Sequence, residues 1–165
     1  MTTNSSDIKY RAQVAEKNLD RIIEWVSRCD YKSSIILGID TGMLGAMAAF
    51  AMPFPDLSLF IIITAFITLL TLGTSLAFII TGIYPRTKDP GKSLLYFEAI
   101  SNCSLDEYKQ RFIEIATDEY VSDLLEQCHR NSEILSQKFH RLKLAFLFLI
   151  ISVLPWSMSI YLFSS

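Results

Sequence analysis

Three long apolar blocks constrain the fold of this chain more than any other feature. They cover residues 33–52, 57–83 and 144–163, contain no Lys or Arg, and include one acidic residue, Asp40. A helix needs about 20 mostly apolar residues to cross the hydrocarbon core of a bilayer, so each block is long enough to span a membrane. The first block follows a charged helical segment and precedes a second span, so we expect it to be a span and not a cleaved secretory signal. The sequence therefore predicts an all-α membrane protein with three transmembrane helices.

The basic residues predict the orientation of these spans. All 15 lie in two segments, one before the first span and one between the second and third spans, and none lies in the MPFPD turn at residues 52–56 or in the C-terminal tail. Basic residues concentrate on the cytoplasmic side of membrane proteins. We therefore expect a multi-pass protein whose N-terminus and middle segment are cytoplasmic and whose C-terminus lies outside.

The segments outside the spans have a helical pattern. Before the first span, apolar residues recur every three or four positions, which is typical of an amphipathic helix. These residues are Ile8, Ala12, Ala15, Leu19, Ile22 and Val26. The chain is thus divided into a cytoplasmic amphipathic helix (1–32), a transmembrane hairpin (33–83), a cytoplasmic module (84–142) and a third transmembrane helix with a short outer tail (143–165).

The cytoplasmic module combines an irregular start with a helical remainder. The stretch from Tyr84 to Cys103 contains two prolines and a short apolar run that fits either a strand or a helical turn. Ser104 and Glu107 in the following SLDE sequence form a capping box, which marks a helix start. A second apolar stripe follows, with a break expected near Thr117, and it runs into the third span. Its residues are Ile113, Ala116, Tyr120, Leu124, Cys128, Leu135, Phe139 and Leu142.

Small and hydroxylated residues align on one face of the first two spans. Such faces let helices approach closely in lipid and form hydrogen bonds between helices. The predicted helix-packing residues are Gly38, Gly42 and Gly45 in the first span and Thr64, Thr68, Thr71 and Ser75 in the second. These faces predict that the protein assembles into a homo-oligomer.

Asp40 is the candidate polar site within the membrane. At about 100° per residue it points roughly 200° away from the neighbouring glycines, and at the usual helical rise it lies only about 10 Å from the cytoplasmic end of its span. Two interpretations remain open. The side chain either hydrogen-bonds a Ser or Thr inside the helix bundle, or forms a polar site that faces a lumen or gate between subunits.

The residue pattern predicts neither catalysis nor a metal site. No nucleophile is placed with a His and an acid, and the histidines and cysteines show no ligand spacing. The three cysteines are odd in number and lie on the predicted reducing side, so we expect no disulfide. The GKS sequence at residues 91–93 lacks the earlier glycine of a phosphate-binding loop, because Arg86 stands there. With a net charge of −2 and acids mixed among the bases, nucleic acid is not an expected partner.

Four sequence stretches resemble the transmembrane effectors of Pycsar, a bacterial antiphage system. They are CDYKSSIILGIDTGML at residues 29–44, YPR at 84–86, SLLYFEAI at 93–100 and EQCHRNSEILSQKFHRLKLAF at 126–146. The resemblance extends from about Leu19 to the third span. It implies that a partner cyclase makes cyclic CMP or cyclic UMP on infection, and that the effector then impairs the inner membrane before phage mature.

The resemblance also marks individual residues. The matching positions are Asp30, Lys32, Tyr84, Pro85, Arg86, Asn131 and Lys138. A cyclic nucleotide carries one negative charge and apolar ring faces, so a site for it needs cationic groups and an aromatic platform. The predicted ligand-binding residues are Arg86, Lys88, Lys92, Tyr84 and Lys32. The alternative is that basic residues beside a span act as topology anchors.

The function expected from these features is that of a membrane effector in antiphage defence, activated by a cyclic pyrimidine nucleotide (cCMP or cUMP) and not an enzyme. Its expected partners are the inner-membrane bilayer, the nucleotide from a partner cyclase and further copies of itself, and no cofactor is expected. Two alternatives remain open, a constitutive holin-like toxin that needs no ligand, and a membrane anchor or adaptor for a protein partner.

Overall fold

The protein is all-helical in the computed structural model, which describes residues 5–51, 58–84 and 93–164. The helices are α1 (Ser5–Ala51), α2 (Leu59–Ile83), α3 (Phe97–Ser101), α4 (Leu105–Glu114) and α5 (Thr117–Ser164). No strand occurs in these ranges, and three helices, α1, α2 and α5, are long and apolar enough to cross a membrane. The predicted fold class is confirmed. The predicted MPFPD turn lies outside the described residues.

The chain divides into two compact units that differ from the predicted segments at their borders. Among the described residues, the polar unit combines 5–27 with 93–136, and the membrane unit combines 28–51 and 58–84 with 137–164. Residues 28–32 and 137–142, which the sequence assigns outside the spans, thus pack with the spans. One reason is the ion pair between Lys138 and Asp30, at 2.7 Å, which joins α5 to α1 inside the membrane unit.

The membrane unit packs α1, α2 and α5 around a small apolar core. Its buried apolar residues include Ile36, Met47, Leu72, Ile79, Leu142, Ala145, Leu149 and Phe163. The Trp156 indole N–H donates to the Met43 carbonyl at 2.9 Å, which ties α5 to α1. Large apolar side chains also cover the outside of the unit. Leu59, Phe66, Leu70 and Leu154 are each at least 60% exposed, as expected of helices that face lipid.

The polar unit contains the first half of α1, both short helices and the first part of α5. On α1, Ala12 and Ala15 are buried, so the predicted amphipathic face packs inward. The apolar run forms a turn at residues 93–96 that leads into the short helix α3, and not a strand. α4 ends at Glu114 and α5 begins at Thr117, so the helix breaks where the sequence predicts.

Helix α4 matches its predicted start but not its predicted packing. The Ser104 hydroxyl accepts a hydrogen bond from the Glu107 backbone N–H at 3.2 Å, as in a capping box. The Glu107 carboxylate pairs with Arg111, one turn further along the helix. The prediction that Ile113 belongs to the packed stripe is wrong, because its side chain is 81% exposed and α4 has no buried residue. Because the helix breaks before Thr117, Ile113 on α4 does not continue the packed face of α5.

Candidate functional site

Asp40 lies fully buried between the three long helices of the membrane unit. Its exposed fraction is 0%, and its Oδ2 atom is 2.7 Å from the Ser75 hydroxyl oxygen on α2. The same hydroxyl is 3.0 Å from the backbone carbonyl oxygen of Ala145 on α5. Asp40, Ser75 and Ala145 therefore form one polar junction that links all three spanning helices.

The hydrogens available at this junction favour an uncharged Asp40. A hydroxyl carries a single hydrogen, so the Ser75 hydroxyl cannot fully donate to both the Asp40 and the Ala145 oxygens. A protonated Asp40 resolves the conflict, because it donates to Ser75 while Ser75 donates to Ala145. A charged side chain at the centre of a spanning helix costs about 2.5 to 3.5 kcal/mol on insertion scales. Asp40 lies closer to the predicted cytoplasmic end, where the cost is smaller, and the neutral acid avoids it.

The second carboxyl oxygen of Asp40 is an exception to the usual pairing of buried polar groups. Its Oδ1 atom is buried and has no hydrogen-bond partner among the described residues. Leaving a buried polar atom unsatisfied costs roughly 1–3 kcal/mol, and such exceptions call for an explanation in function or in bound water. The Oδ1 atom can therefore accept one further hydrogen bond inside the bundle.

A line of buried hydroxyls extends from this junction along the inside of the membrane unit. Thr68 on α2 and Ser159 on α5 are fully buried, and their hydroxyl oxygens lie 3.5 Å apart. Ser152 on α5 is also fully buried and donates to the Leu149 carbonyl at 2.6 Å. We call the whole set the buried polar stripe. It consists of Asp40, Thr64, Thr68, Ser75, Ser152 and Ser159.

Most hydroxyls on α2 bond to their own helix and not across the bundle. Thr64 donates to carbonyls of α2, as does Thr71, which is only partly buried. Among the described α2 hydroxyls, those of Ser75 and Thr68 contact another helix. The sequence analysis missed Ser152 and Ser159, although their spacing of seven positions, two helical turns, places them on one face of an otherwise apolar helix.

The glycines of α1 point away from the buried polar stripe. Gly42 and its neighbours Gly38 and Gly45 are exposed, and a Cβ atom added at any of them would meet no atom within 4 Å. The single chain therefore leaves this face of α1 without a packing partner in the described structure. Asp40 and the glycines occupy different faces of one helix.

Two positions marked by the family resemblance form an ion pair in the membrane unit. Lys138 Nζ contacts both carboxylate oxygens of Asp30, at 2.7 and 2.8 Å. The Lys138 side chain is 19% exposed and that of Asp30 is 43% exposed. Next to them, burial and the neighbouring Asp30 charge raise the pKa of the Cys29 thiol. Asn131, another marked position, lies in the polar unit and donates to the Gln127 carbonyl one turn earlier.

In the polar unit, a turn at residues 93–96 is held against α5 by a polar network. Asp123 accepts a hydrogen bond from the Leu94 N–H at 2.9 Å, and the buried Gln127 amide donates to the Ser93 hydroxyl at 3.1 Å. The Arg130 guanidinium lies 5.6 Å from the centre of the Tyr96 ring, within range of a cation–π contact. The sequence analysis missed Asp123, Gln127 and Arg130, because pairing across 29 or more residues leaves no local signal.

A small cleft lies in the described part of the same unit, but its charges do not suit an anion. It has a volume of about 320 Å³ and is lined by Leu94, Arg111, Glu114, Ile115 and Glu119. Two carboxylates face a single guanidinium that is already paired with Glu107. A phosphate anion would meet net repulsion there.

The predicted ligand-binding residues are only partly described. Arg86, Lys88 and Lys92 lie outside the described residues, as does Pro85. Tyr84 is the C-cap residue of α2 and is 72% exposed. Lys32 lines a different feature, an apolar groove between α1 and α5. Their joint role in nucleotide binding stays a prediction.

Two further titratable groups of the polar unit, Cys128 and Tyr120, have contacts that point to structural roles. Burial raises the pKa of the Cys128 thiol, whose Sγ atom contacts the Ala15 carbonyl at 3.6 Å. Burial, together with a hydrogen bond to the Glu16 carboxylate, raises the pKa of the Tyr120 hydroxyl. Both contacts join α1 to α5. Within the described parts of the chain, no group of His, Cys, Asp and Glu is arranged to hold a metal ion.

Comparison with known proteins identifies the family. A family model described as the Pycsar effector protein domain matches residues 14–163. The Pycsar effector protein GmPycTM of Gulbenkiania mobilis is 30% identical, over 82% of this chain and 83% of its own length. No solved structure matches the chain. The family match, which covers all three candidate spans and the buried polar stripe between them, shows that this chain belongs to the Pycsar effector family of antiphage defence.

Proposed function

We propose that this protein is a non-enzymatic effector that impairs the inner membrane when it binds cyclic CMP or cyclic UMP from a partner cyclase. Membership of the Pycsar effector family supports a role downstream of a cyclic nucleotide signal. The three apolar helices support action within a bilayer. Loss of membrane integrity then stops the infected cell before phage mature.

The observation that carries this proposal is the buried polar stripe. In the single chain, Asp40, Thr68 and Ser75 face the inside of the bundle, away from lipid. Such a bundle seals its polar groups and leaves the bilayer intact. A rearrangement that separates the three helices exposes the stripe, and polar side chains that line a wet path let ions or water cross.

The glycine face of α1 supports assembly as part of this mechanism. Gly38, Gly42 and Gly45 offer an open surface where a second helix backbone can approach closely. A lesion large enough to harm the cell needs several bundles, because one three-helix bundle encloses no channel of its own. In this mechanism the glycine face joins the copies, and the buried polar stripe turns toward the space between them.

The nucleotide site is proposed near the second span, where Arg86, Lys88 and Lys92 concentrate positive charge. The held turn at residues 93–96 follows this basic segment directly and carries Tyr96, an aromatic side chain fixed against α5. An arginine provides paired donors for a phosphate, and an aromatic ring provides a stacking surface.

The test is dye release from liposomes that contain the full chain, with cyclic CMP, cyclic UMP, cyclic AMP or no nucleotide added. We expect release only with a pyrimidine cyclic nucleotide, and loss of that response in Arg86→Ala at unchanged insertion. The matched control is Arg21→Ala, which removes an exposed arginine of α1 in the polar unit. Release without nucleotide would identify a constitutive toxin, and no release despite confirmed insertion would favour an anchor or adaptor. Normal nucleotide binding by Arg86→Ala would contradict the proposed site.

A further inference from the structure

An apolar groove with two lysines at its rim runs between α1 and α5 in the membrane unit. It has a volume of about 380 Å³ and is lined by Lys32, Ile35, Ile36, Phe139, Leu142, Lys143 and Phe146. Residues three or four positions apart share one face of a helix, so each helix contributes one lysine and its apolar neighbours to the same surface. This volume lies within the range of small-molecule sites.

The two lysines lie at the same end of their spans. Lys32 directly precedes the first apolar block and Lys143 directly precedes the third. Both therefore lie at the level where a bilayer changes from hydrocarbon to headgroups, on the side predicted to be cytoplasmic. Ile35 and Phe146 follow them toward the hydrocarbon.

Neither lysine is neutralised by a carboxylate within the described ranges. The closest acid in sequence to Lys32 is Asp30, and its two oxygens are occupied by Lys138. Lys143 Nζ lies 5.2 Å from the centre of the Phe139 ring, which positions the ammonium at the groove but leaves its charge uncompensated. The groove thus combines an apolar wall with two positive charges at one end.

We propose that this groove binds an anionic phospholipid, with an acyl chain along its apolar wall and the phosphate between Lys32 and Lys143. Basic pockets between transmembrane helices are suited to anionic headgroups. A cyclic nucleotide fits less well, because the Ile, Leu and Phe walls provide no hydrogen-bonding groups for a base. A second copy of the chain is also disfavoured, because its own Lys32 and Lys143 are basic and the described groove offers no acid to meet them.

Lysines that serve only as membrane anchors would accept any phospholipid headgroup at their level. The proposal differs in one measurable respect, since two ammonium groups favour a phosphate that is not already balanced by a cation in its own headgroup, and therefore a lipid with net negative charge. Preference for such a lipid is therefore the property to test, and its measurement needs no nucleotide. The outcome is thus independent of the proposed function.

The experiment is native mass spectrometry of the full chain in neutral detergent, titrated with phosphatidylglycerol or phosphatidylcholine of identical acyl chains. We expect phosphatidylglycerol to be retained preferentially. The double variant Lys32→Gln/Lys143→Gln lowers its retention about thirtyfold, as expected when two charges are lost near an anionic headgroup, and leaves the retention of phosphatidylcholine unchanged. Ile35→Trp, at a half-exposed position, fills the groove and lowers retention of both lipids.

The matched control is Lys9→Gln/Lys109→Gln, which removes the same charge from two exposed positions in the polar unit. If the groove is the lipid-binding site, this control variant still retains phosphatidylglycerol preferentially. Equal retention of the two lipids by the natural chain overturns the proposal, as does equal loss in the control and the groove variant. Displacement of phosphatidylglycerol by cyclic CMP would assign the groove to the nucleotide, and lipid seen only on dimers or larger species would assign it to an interface between copies. Either result overturns the proposal.

Discussion

At the scale of single residues, Asp40 has a structural role in the closed bundle and a second, proposed role when the bundle opens. Its side chain contacts Ser75, which in turn contacts Ala145, so it links three helices; as a carboxylate it would be unstable in a closed, dry bundle. Asparagine has nearly the same shape and can donate to Ser75, but it cannot ionise. The substitution therefore tests whether opening requires a charge.

We expect Asp40→Asn to fold, insert and bind cyclic nucleotide like the natural chain, and to lose at least about tenfold in nucleotide-triggered dye release, because a group that cannot ionise does not stabilise a wet path. Equilibrium binding and dye release measure the two properties separately. Thr74→Ala is the control, since Thr74 lies outside the buried polar stripe and its hydroxyl bonds within its own helix among the described contacts, so its loss leaves the three-helix junction in place. Loss of nucleotide binding in Asp40→Asn would contradict this assignment.

A second prediction at this scale concerns the pair formed by Asp30 and Lys138. Because Asp30 is 43% exposed, solvent screens the pair, and we expect a coupling of about 0.5 to 1 kcal/mol. A double-mutant cycle of Asp30→Asn and Lys138→Gln, followed by thermal unfolding in detergent, measures it. The control is a second cycle that combines Asp30→Asn with Lys32→Gln. Asp30 and Lys32 are two positions apart on one helix and therefore do not face each other. Equal coupling in both cycles would show that the contact has no specific role.

At the scale of elements, α1 carries two different surfaces on its spanning half. One contains Asp40 and packs inward, and the other contains Gly42 and has open space around it. The continuous helix between Ser5 and Ala51 holds the two in a constant angular relation. A change on the outer face can therefore be made without touching the polar junction.

We expect Gly42→Leu to leave the single chain folded and to weaken its self-association several-fold, because a leucine keeps neighbouring backbones apart in lipid. Its helix propensity is higher than that of glycine by up to about 1 kcal/mol, so destabilised secondary structure cannot explain a loss of assembly. Cross-linking in liposomes and mass measurement in detergent report the oligomeric state. Gly73→Leu on α2 is the matched control, since a Cβ atom there also meets nothing within 4 Å. Unchanged assembly in Gly42→Leu would remove the glycine face from the proposed interface.

At the scale of the whole molecule, the distribution of basic residues predicts the orientation in the membrane. All 15 lie before the first span or between the second and third, and the positive-inside rule places both segments in the cytoplasm. The nucleotide signal would then reach the segment that carries Arg86, while the C-terminus lies on the other side.

We expect alkaline phosphatase fused after Ser165 to be active, because this enzyme needs export to fold, and a fluorescent protein fused before Met1 to be bright. Fusions at residues 102 and 104, in the middle segment, should give an inactive phosphatase. An immunoblot of each fusion serves as the expression control. An inactive phosphatase at the C-terminus with normal expression would reverse the predicted orientation and with it the cytoplasmic location of the basic segment.

The sequence by itself determined the three spans, the all-helical class and the helix break before Thr117. These features depend on the length of apolar runs, on the 3.6-residue period and on capping residues, all of which are local. It also marked Asp40 as costly in a membrane, since a charged residue type within an apolar block is visible without any structure.

Only the tertiary structure decided what Asp40 and the two groove lysines contact. The Asp40 partner Ser75 lies 35 residues away in sequence, and Ser75 in turn reaches Ala145, another 70 residues on. Lys32 and Lys143 meet at one groove for the same reason. Hydropathy gives the depth of each residue in the bilayer. The rotation of each helix about its axis depends instead on how the side-chain surfaces of all three helices fit together. That rotation decides which residues are in contact.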